Sequence, residues 1–136
     1  MTEPFGSVPL VVDTSAWARQ QDVAVRPRWE AAIAADLLAS CPVAALEILS
    51  WTCDEHEFEA VSRDLSALHQ APVTVTVCAA ALGAMTDLRG SRRIPAADYL
   101  IAAAAAERGF GVLHEDRHFD LLATVLSFPS VRLSAG

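Results

Sequence analysis

Lysine is absent from this sequence of 136 residues, so all ten basic side chains are arginine. This absence excludes a receiver-like phosphotransfer domain, which pairs its aspartate with a lysine. Apolar runs long enough to span a bilayer are also missing, and the N-terminus has no basic segment followed by an apolar core. We therefore expect no membrane-spanning helix and no signal peptide, and we predict a cytoplasmic location.

Cysteine is scarce, and its spacing excludes two further classes of protein. Cys41, Cys53 and Cys78 are odd in number, lie far apart and lack the spacing of metal ligands. The sequence therefore indicates neither a disulfide framework nor a zinc site, and it favours buried, reduced thiols. With 53% hydrophobic and 20% charged residues, the chain is predicted to be globular, and its length fits one domain over residues 1–136.

Net charge gives conflicting indications about a nucleic-acid partner. The value of -7 argues against one, because phosphate binding usually leaves a basic footprint. Arg89, Arg92 and Arg93, however, crowd one predicted loop, and arginine suits bidentate phosphate contacts. A GC-rich genome would also favour arginine over lysine, although it does not explain this clustering. Both interpretations stay open at this point.

Apolar segments of strand length alternate with segments of helical periodicity. Strands are predicted at residues 8–12, 41–43 (a strand or a bend), 73–77, 110–113 and 131–133. Helices are predicted from residue 14 onward, within 26–40, and over 44–52, 54–68, 78–89, 95–108 and 119–126. This alternation is typical of a three-layer α/β fold with a central parallel sheet flanked by helices.

Four acidic residues stand at predicted strand exits or early in predicted helices: Asp13, Glu47, Asp98 and Asp116. The carboxyl ends of parallel strands meet at one edge of a sheet, where ligands bind. Each acid alone could be a helix cap, although Glu47 lies among apolar neighbours, where a glutamate is usually paired or metal-bound. Clustered carboxylates repel one another unless a cation neutralises them, and an all-oxygen site favours Mg²⁺ or Mn²⁺.

The segments around these acids resemble the four motifs of PIN-domain ribonucleases, specifically the VapC-type toxins. The matching segments are residues 12–17 (VDTSAW), 41–47 (CPVAALE), 95–103 (PAADYLIAA) and 113–120 (LHEDRHFD). One position departs from the pattern: many family members carry an aspartate two residues after the fourth acid, where this chain has His118. We expect His118 at the surface or behind the metal ligands, and Asp120 facing solvent.

The resemblance implies a Mg²⁺- or Mn²⁺-dependent endoribonuclease toxin that cleaves cellular RNA of the tRNA or rRNA class. It implies Asp13 and Asp98 as central metal ligands, with Glu47 and Asp116 completing the pocket. It also implies homodimerisation and neutralisation by a VapB-like antitoxin. Candidate RNA-binding residues are Thr14, Ser15, Arg89, Arg92, Arg93 and Arg117, and the two hydroxyls alternatively orient Asp13.

Two other functions compete with this interpretation. A haloacid-type phosphatase would need a second aspartate two residues after the first, and Ser15 occupies that position. A catalytically idle PIN fold that serves only as a binding module stays open, although the presence of all four acids argues against it. A metal-dependent cleavage assay separates the idle module from the enzyme.

Overall fold

The computed structural model describes residues 2–90 and 93–134, which form a five-stranded sheet flanked by helices. The strand order is β3-β2-β1-β4-β5, and every neighbouring pair is parallel. The strands are β1 (Leu10–Val12), β2 (Leu38–Ser40), β3 (His69–Gln70), β4 (Gly111–His114) and β5 (Ser130–Arg132). The predicted fold class, a three-layer α/β fold with a central parallel sheet, is confirmed.

Seven helices connect the strands within the described residues. They are α1 (Thr14–Trp17), α2 (Arg26–Ala34), α3 (Pro42–Leu49), α4 (Glu55–Ser66), α5 (Val75–Asp87), α6 (Ala96–Arg108) and α7 (His118–Leu122). Local chemistry sets several of their ends: Asp54 caps α4 through the Glu57 amide, and Gly109 ends α6 at a φ of 71°, a conformation that glycine adopts without steric cost. None of the described helices is long and apolar enough to cross a membrane.

Two apolar clusters cover the two faces of the sheet. Val11 of β1 packs in the larger cluster, which contains the alanine-rich face of α6. Leu10 and Val12, its neighbours in the strand, pack in the smaller cluster around Trp29 of α2. Successive side chains of β1 thus point to opposite faces of the sheet, as expected for a strand that is buried on both faces. The central strands β1 and β4 are fully buried, so the residues at their carboxyl ends have defined positions.

Two predicted strands are wrong in position. Residues 73–77 are not a strand, because the Thr74 hydroxyl accepts a hydrogen bond from the Val77 amide and caps α5. The strand before that helix is the short pair His69–Gln70. The second strand lies at Leu38–Ser40, upstream of the predicted 41–43, because Pro42 takes the first turn of α3.

The cysteine prediction is wrong for two of the three thiols. All three cysteines lie in the described part of the chain and are free, but only Cys41 is buried, whereas Cys53 and Cys78 are exposed. Burial raises the pKa of the Cys41 thiol above its ordinary value, although two backbone hydrogen bonds oppose this effect. Cys41 is thus an inert thiol in the core.

Candidate metal centre

Asp13 follows β1 directly and caps α1. Its Oδ2 accepts hydrogen bonds from the Ser15 amide at 3.2 Å and from the Ser15 hydroxyl at 2.6 Å. The Asp13 amide donates to the Leu113 carbonyl at 3.0 Å, which fastens this residue to β4. The Ser15 hydroxyl oxygen also accepts from the Glu115 amide at 3.0 Å. Ser15 therefore orients Asp13 and joins the ends of the two central strands.

Asp98 is the third residue of α6, and its side chain is largely buried. Burial raises the pKa of Asp98 to about 6, and the negative charges of Asp13 and Asp116 add to this effect, while a hydrogen bond from His118 opposes it. Repulsion of this kind requires the other carboxylates to be close. The structure thus gathers three of the predicted acids, from β1, α6 and the end of β4.

Glu47 on α3 is less tightly integrated than the other acids. Glu47 is exposed, whereas apolar residues close to it in the sequence, such as Ala44 and Ile48, are buried on another side of the helix. The apolar surroundings inferred from the sequence are therefore not its environment in the fold. Its pKa is nevertheless raised, by partial desolvation and then by the charge of Asp13, which places Glu47 beside the same cluster.

His118 lies between two carboxylates. Its Nδ1 is 3.1 Å from Asp98 Oδ2 and 3.0 Å from Asp116 Oδ1. One donor atom from each of Asp98, Asp116 and His118 lies within 4.8 Å of the others, a spacing that one cation could bridge. Carboxylate oxygen suits Mg²⁺ and Mn²⁺, and an imidazole nitrogen beside it is compatible with Mn²⁺, so this donor set fits a divalent cation.

The cluster opens onto a cavity of about 330 Å³ that is lined by Ser15, Glu115, Asp116, Arg117 and His118. The Glu115 carboxylate has its own partners: it accepts hydrogen bonds from Ser134 and pairs with Arg19 at 3.2 Å. Partial burial acts to raise its pKa, but these contacts hold the pKa of Glu115 below its ordinary value. Glu115 therefore links the segment that follows β5 to the turn that follows α1.

The predicted RNA-binding residues occupy different surroundings. Arg117 is exposed beside Asp116, and the Thr14 hydroxyl is buried without a hydrogen-bond partner among residues 2–90 and 93–134. Arg89 and Arg93 are exposed and line a cavity of about 430 Å³ that also includes the residues just before and at the start of α6. Arg92 lies outside the described residues.

Sequence reasoning missed one residue near the cluster. His114, the last residue of β4, is fully buried and accepts a hydrogen bond from the Asp116 amide through Nδ1. A histidine at the end of an apolar strand resembles an ordinary core residue in sequence. Its hydroxyl partner, Ser130, lies 16 residues further along the chain, and only the pairing of β4 with β5 brings the two together.

Comparisons with known proteins agree with this geometry. The PIN domain family matches residues 10–125. Ribonucleases VapC18 and VapC51 of Mycobacterium tuberculosis are 32% and 36% identical to the chain, over 88% and 90% of its length and 90% and 91% of theirs. The structure of a DNA-bound VapBC from Salmonella typhimurium superposes with a TM-score of 0.74 at 13% identity, covering 93% of this chain and 99% of that one. VapBC-5 of M. tuberculosis gives 0.68 at 24% identity, with the same coverage. The chain therefore belongs to the PIN domain family and, within it, to the VapC group.

Proposed function

We propose that this chain is a metal-dependent endoribonuclease that acts as the toxin of a toxin–antitoxin pair in the cytoplasm. The observation that carries the proposal is the meeting of Asp13, Asp98 and Asp116 at the carboxyl edge of β1 and β4, where burial and then the charges of Asp13 and Asp116 raise the pKa of Asp98. The proposal is supported by the relatives, which carry the name ribonuclease VapC. The whole of 1–136 is proposed to be one PIN domain.

The proposed roles follow from the positions of the acids. Asp13 and Asp98 would hold Mg²⁺ or Mn²⁺ centrally, while Glu47 and Asp116 would complete the pocket directly or through water. A bound ion would polarise the scissile phosphate and lower the pKa of a water bound to it. Ser15 keeps the Asp13 carboxylate in one orientation through two hydrogen bonds. Because the pKa of Asp98 is raised to about 6, metal binding near or below that pH would be coupled to proton release from Asp98.

RNA of the tRNA or rRNA class is the proposed substrate. Arg117 borders the cavity at the acids, and Arg89 and Arg93 lie near the start of α6, which carries Asp98 two residues further on. Exposed guanidinium groups near an acidic cluster suit contacts with phosphates that flank the cleaved bond. Arg92 belongs to the same sequence cluster, whereas the buried Thr14 hydroxyl would contact a bound water rather than a phosphate.

Two protein partners are proposed. The structural neighbours are VapBC complexes, which supports a cognate VapB-like antitoxin for this chain. Its tail would place an arginine among the carboxylates. Apolar side chains of the tail would fill the cavity of about 280 Å³ that is lined in part by Trp17, Ile33 and Leu68. The second partner is another copy of this chain, for which exposed apolar side chains of α5, such as Val75 and Leu82, are candidate contacts.

Cleavage of end-labelled cellular RNA tests the proposal. We expect cleavage with Mg²⁺ or Mn²⁺, loss in excess chelator and recovery when either ion is restored. Asp98→Asn should abolish cleavage, whereas Asp54→Asn should leave it unchanged, because Asp54 is an exposed helix cap and asparagine caps equally well. A folded, metal-bound wild-type chain that cleaves no RNA would favour the idle binding module instead.

A further inference from the structure

A chain of four hydrogen bonds runs from the backbone of Asp116 to the outer strand of the sheet. The Asp116 amide donates to His114 Nδ1 at 3.1 Å, and His114 Nε2 lies 2.7 Å from the Ser130 hydroxyl. That hydroxyl donates to Asp120 Oδ1 at 2.8 Å, and the other Asp120 oxygen accepts from Arg132 at 3.0 Å. The prediction that Asp120 faces solvent is therefore only partly right: half of its side chain is exposed, but both of its carboxylate oxygens are hydrogen-bonded within the protein.

The direction of these bonds determines the tautomer of His114. A backbone amide can only donate, so Nδ1 must accept and the ring proton must lie on Nε2. Nε2 then donates to Ser130, whose own proton is directed to Asp120. The ring is fully buried and packs on Phe119, with the ring centroids 5.1 Å apart. Burial lowers the pKa of His114, in agreement with a neutral ring.

The turn that carries the fourth acid depends on two contacts of Asp116. Its amide binds the His114 ring, and its Oδ1 accepts from the His118 amide at 3.0 Å. The first contact fixes where the chain leaves β4, and the second fixes the start of α7. Without the first, the Asp116 amide would lose its acceptor, and the turn would be free to rotate away from Asp98.

We propose that His114 is a positioning residue, which holds Asp116 in the cluster through Nδ1 and is itself locked by Ser130 of β5. This inference rests on the proposed function only in assigning Asp116 to the metal pocket. A packing role alone would require a side chain of similar shape. A positioning role requires an acceptor at the place of Nδ1.

Asparagine and glutamine at position 114 separate the two roles. The Asn oxygen stands near the place of Nδ1, whereas the Gln amide nitrogen stands near the place of Nε2 and leaves the Asp116 amide without an acceptor. Both variants remove the buried ring, so both should lose stability. We expect His114→Gln to lower kcat by about 10- to 100-fold at little change in KM, and His114→Asn to retain most of the wild-type kcat.

Two NMR measurements test the inference without nuclease activity. The ¹⁵N shifts of the His114 ring should show the Nε2–H tautomer, and amide hydrogen exchange at Asp116 should be faster in His114→Gln than in His114→Asn. Ser130→Ala, which leaves the ring and the Asp116 amide in place, should keep the Nε2–H tautomer, because the amide still donates to Nδ1. An Nδ1–H tautomer in the wild-type chain, or equal exchange at Asp116 in both variants, would overturn the positioning role. If wild-type RNA cleavage is absent but these NMR results hold, only the proposed function fails.

Discussion

Asp98→Asn should stabilise the metal-free protein at neutral pH, although it removes a hydrogen-bonding carboxylate from a buried site. The pKa of Asp98 is raised from 3.8 to about 6, first by burial and then by the charge of Asp13. Since the folded state binds this proton more tightly than the unfolded state, the free energy of unfolding falls as pH rises from about 4 through about 6. Above that range the destabilisation is complete, and below it the destabilisation is absent.

The size of the effect follows from the difference between the two pKa values. It corresponds to at most about 3 kcal/mol at pH 8, and we expect a gain of about 1 to 3 kcal/mol in the variant. Asparagine cannot ionise, and its oxygen can still accept a hydrogen bond from His118, which lies 3.1 Å from the present carboxylate. At pH 4.5 the folded wild-type carboxyl is largely protonated, so the difference between the two proteins should shrink to about 1 kcal/mol, since the unfolded carboxyl already ionises above its pKa of 3.8.

Urea denaturation in excess chelator at pH 8 and pH 4.5 measures this difference. Asp54→Asn makes the same chemical change at an exposed helix cap and should alter stability by less than about 0.5 kcal/mol at either pH. The reasoning would be refuted by a variant that is less stable than the wild type at pH 8. A gain of equal size at both pH values would also refute it, since the cause would then not be the charge of Asp98.

Three further substitutions test separate parts of the site. His118→Asp puts a hard, charged ligand in place of a ring whose Nδ1 lies 3.0 Å from Asp116 Oδ1, so Mg²⁺ binding measured by calorimetry should tighten by about tenfold. Unchanged affinity would place residue 118 outside the coordination shell. Ser15→Ala removes the 2.6 Å hydrogen bond to Asp13. We expect a loss of about 1 kcal/mol in the free energy of unfolding, measured by urea denaturation, together with a lower kcat. A wild-type kcat would mean that Asp13 keeps its position without Ser15. Arg117→Ala should weaken RNA binding and reduce the slope of log affinity against log salt by about one, and an unchanged slope would remove Arg117 from the RNA path.

The gathering of the acids could be predicted because their positions depend on local signals. Asp13 and Asp116 follow short apolar strands, and Asp98 follows the proline that starts α6. Parallel strands that are adjacent in the sheet deliver such residues to one edge without further information. The sequence does not show which strands are adjacent, and the pairing of β1 with β4 is what brings Asp13 close to Asp116.

The misplaced strands show where local patterns fail. The alternating valines and threonines of 73–77 favour a strand, but Val77 is fully buried in the core as part of α5, and the Thr74 cap starts the helix. Packing against the rest of the core outweighs the modest β-propensity of valine. The actual strand, His69–Gln70, is polar and two residues long, so nothing in its sequence indicates a strand. Its position depends on pairing with β2.

The energetics of Asp98 also bear on the choice between an enzyme and an idle binding module. A largely buried carboxylate beside Asp13 and Asp116 destabilises the metal-free fold at neutral pH, as the raised pKa shows. A module that never bound a cation would gain stability from an asparagine or a serine at position 98. The hydrogen bonds at Asp13 and Asp116, made by Ser15 and by the backbone of His118, hold both carboxylates in place against this repulsion. Such an arrangement lowers the reorganisation needed to bind a divalent ion, which favours metal-dependent chemistry over a purely structural role.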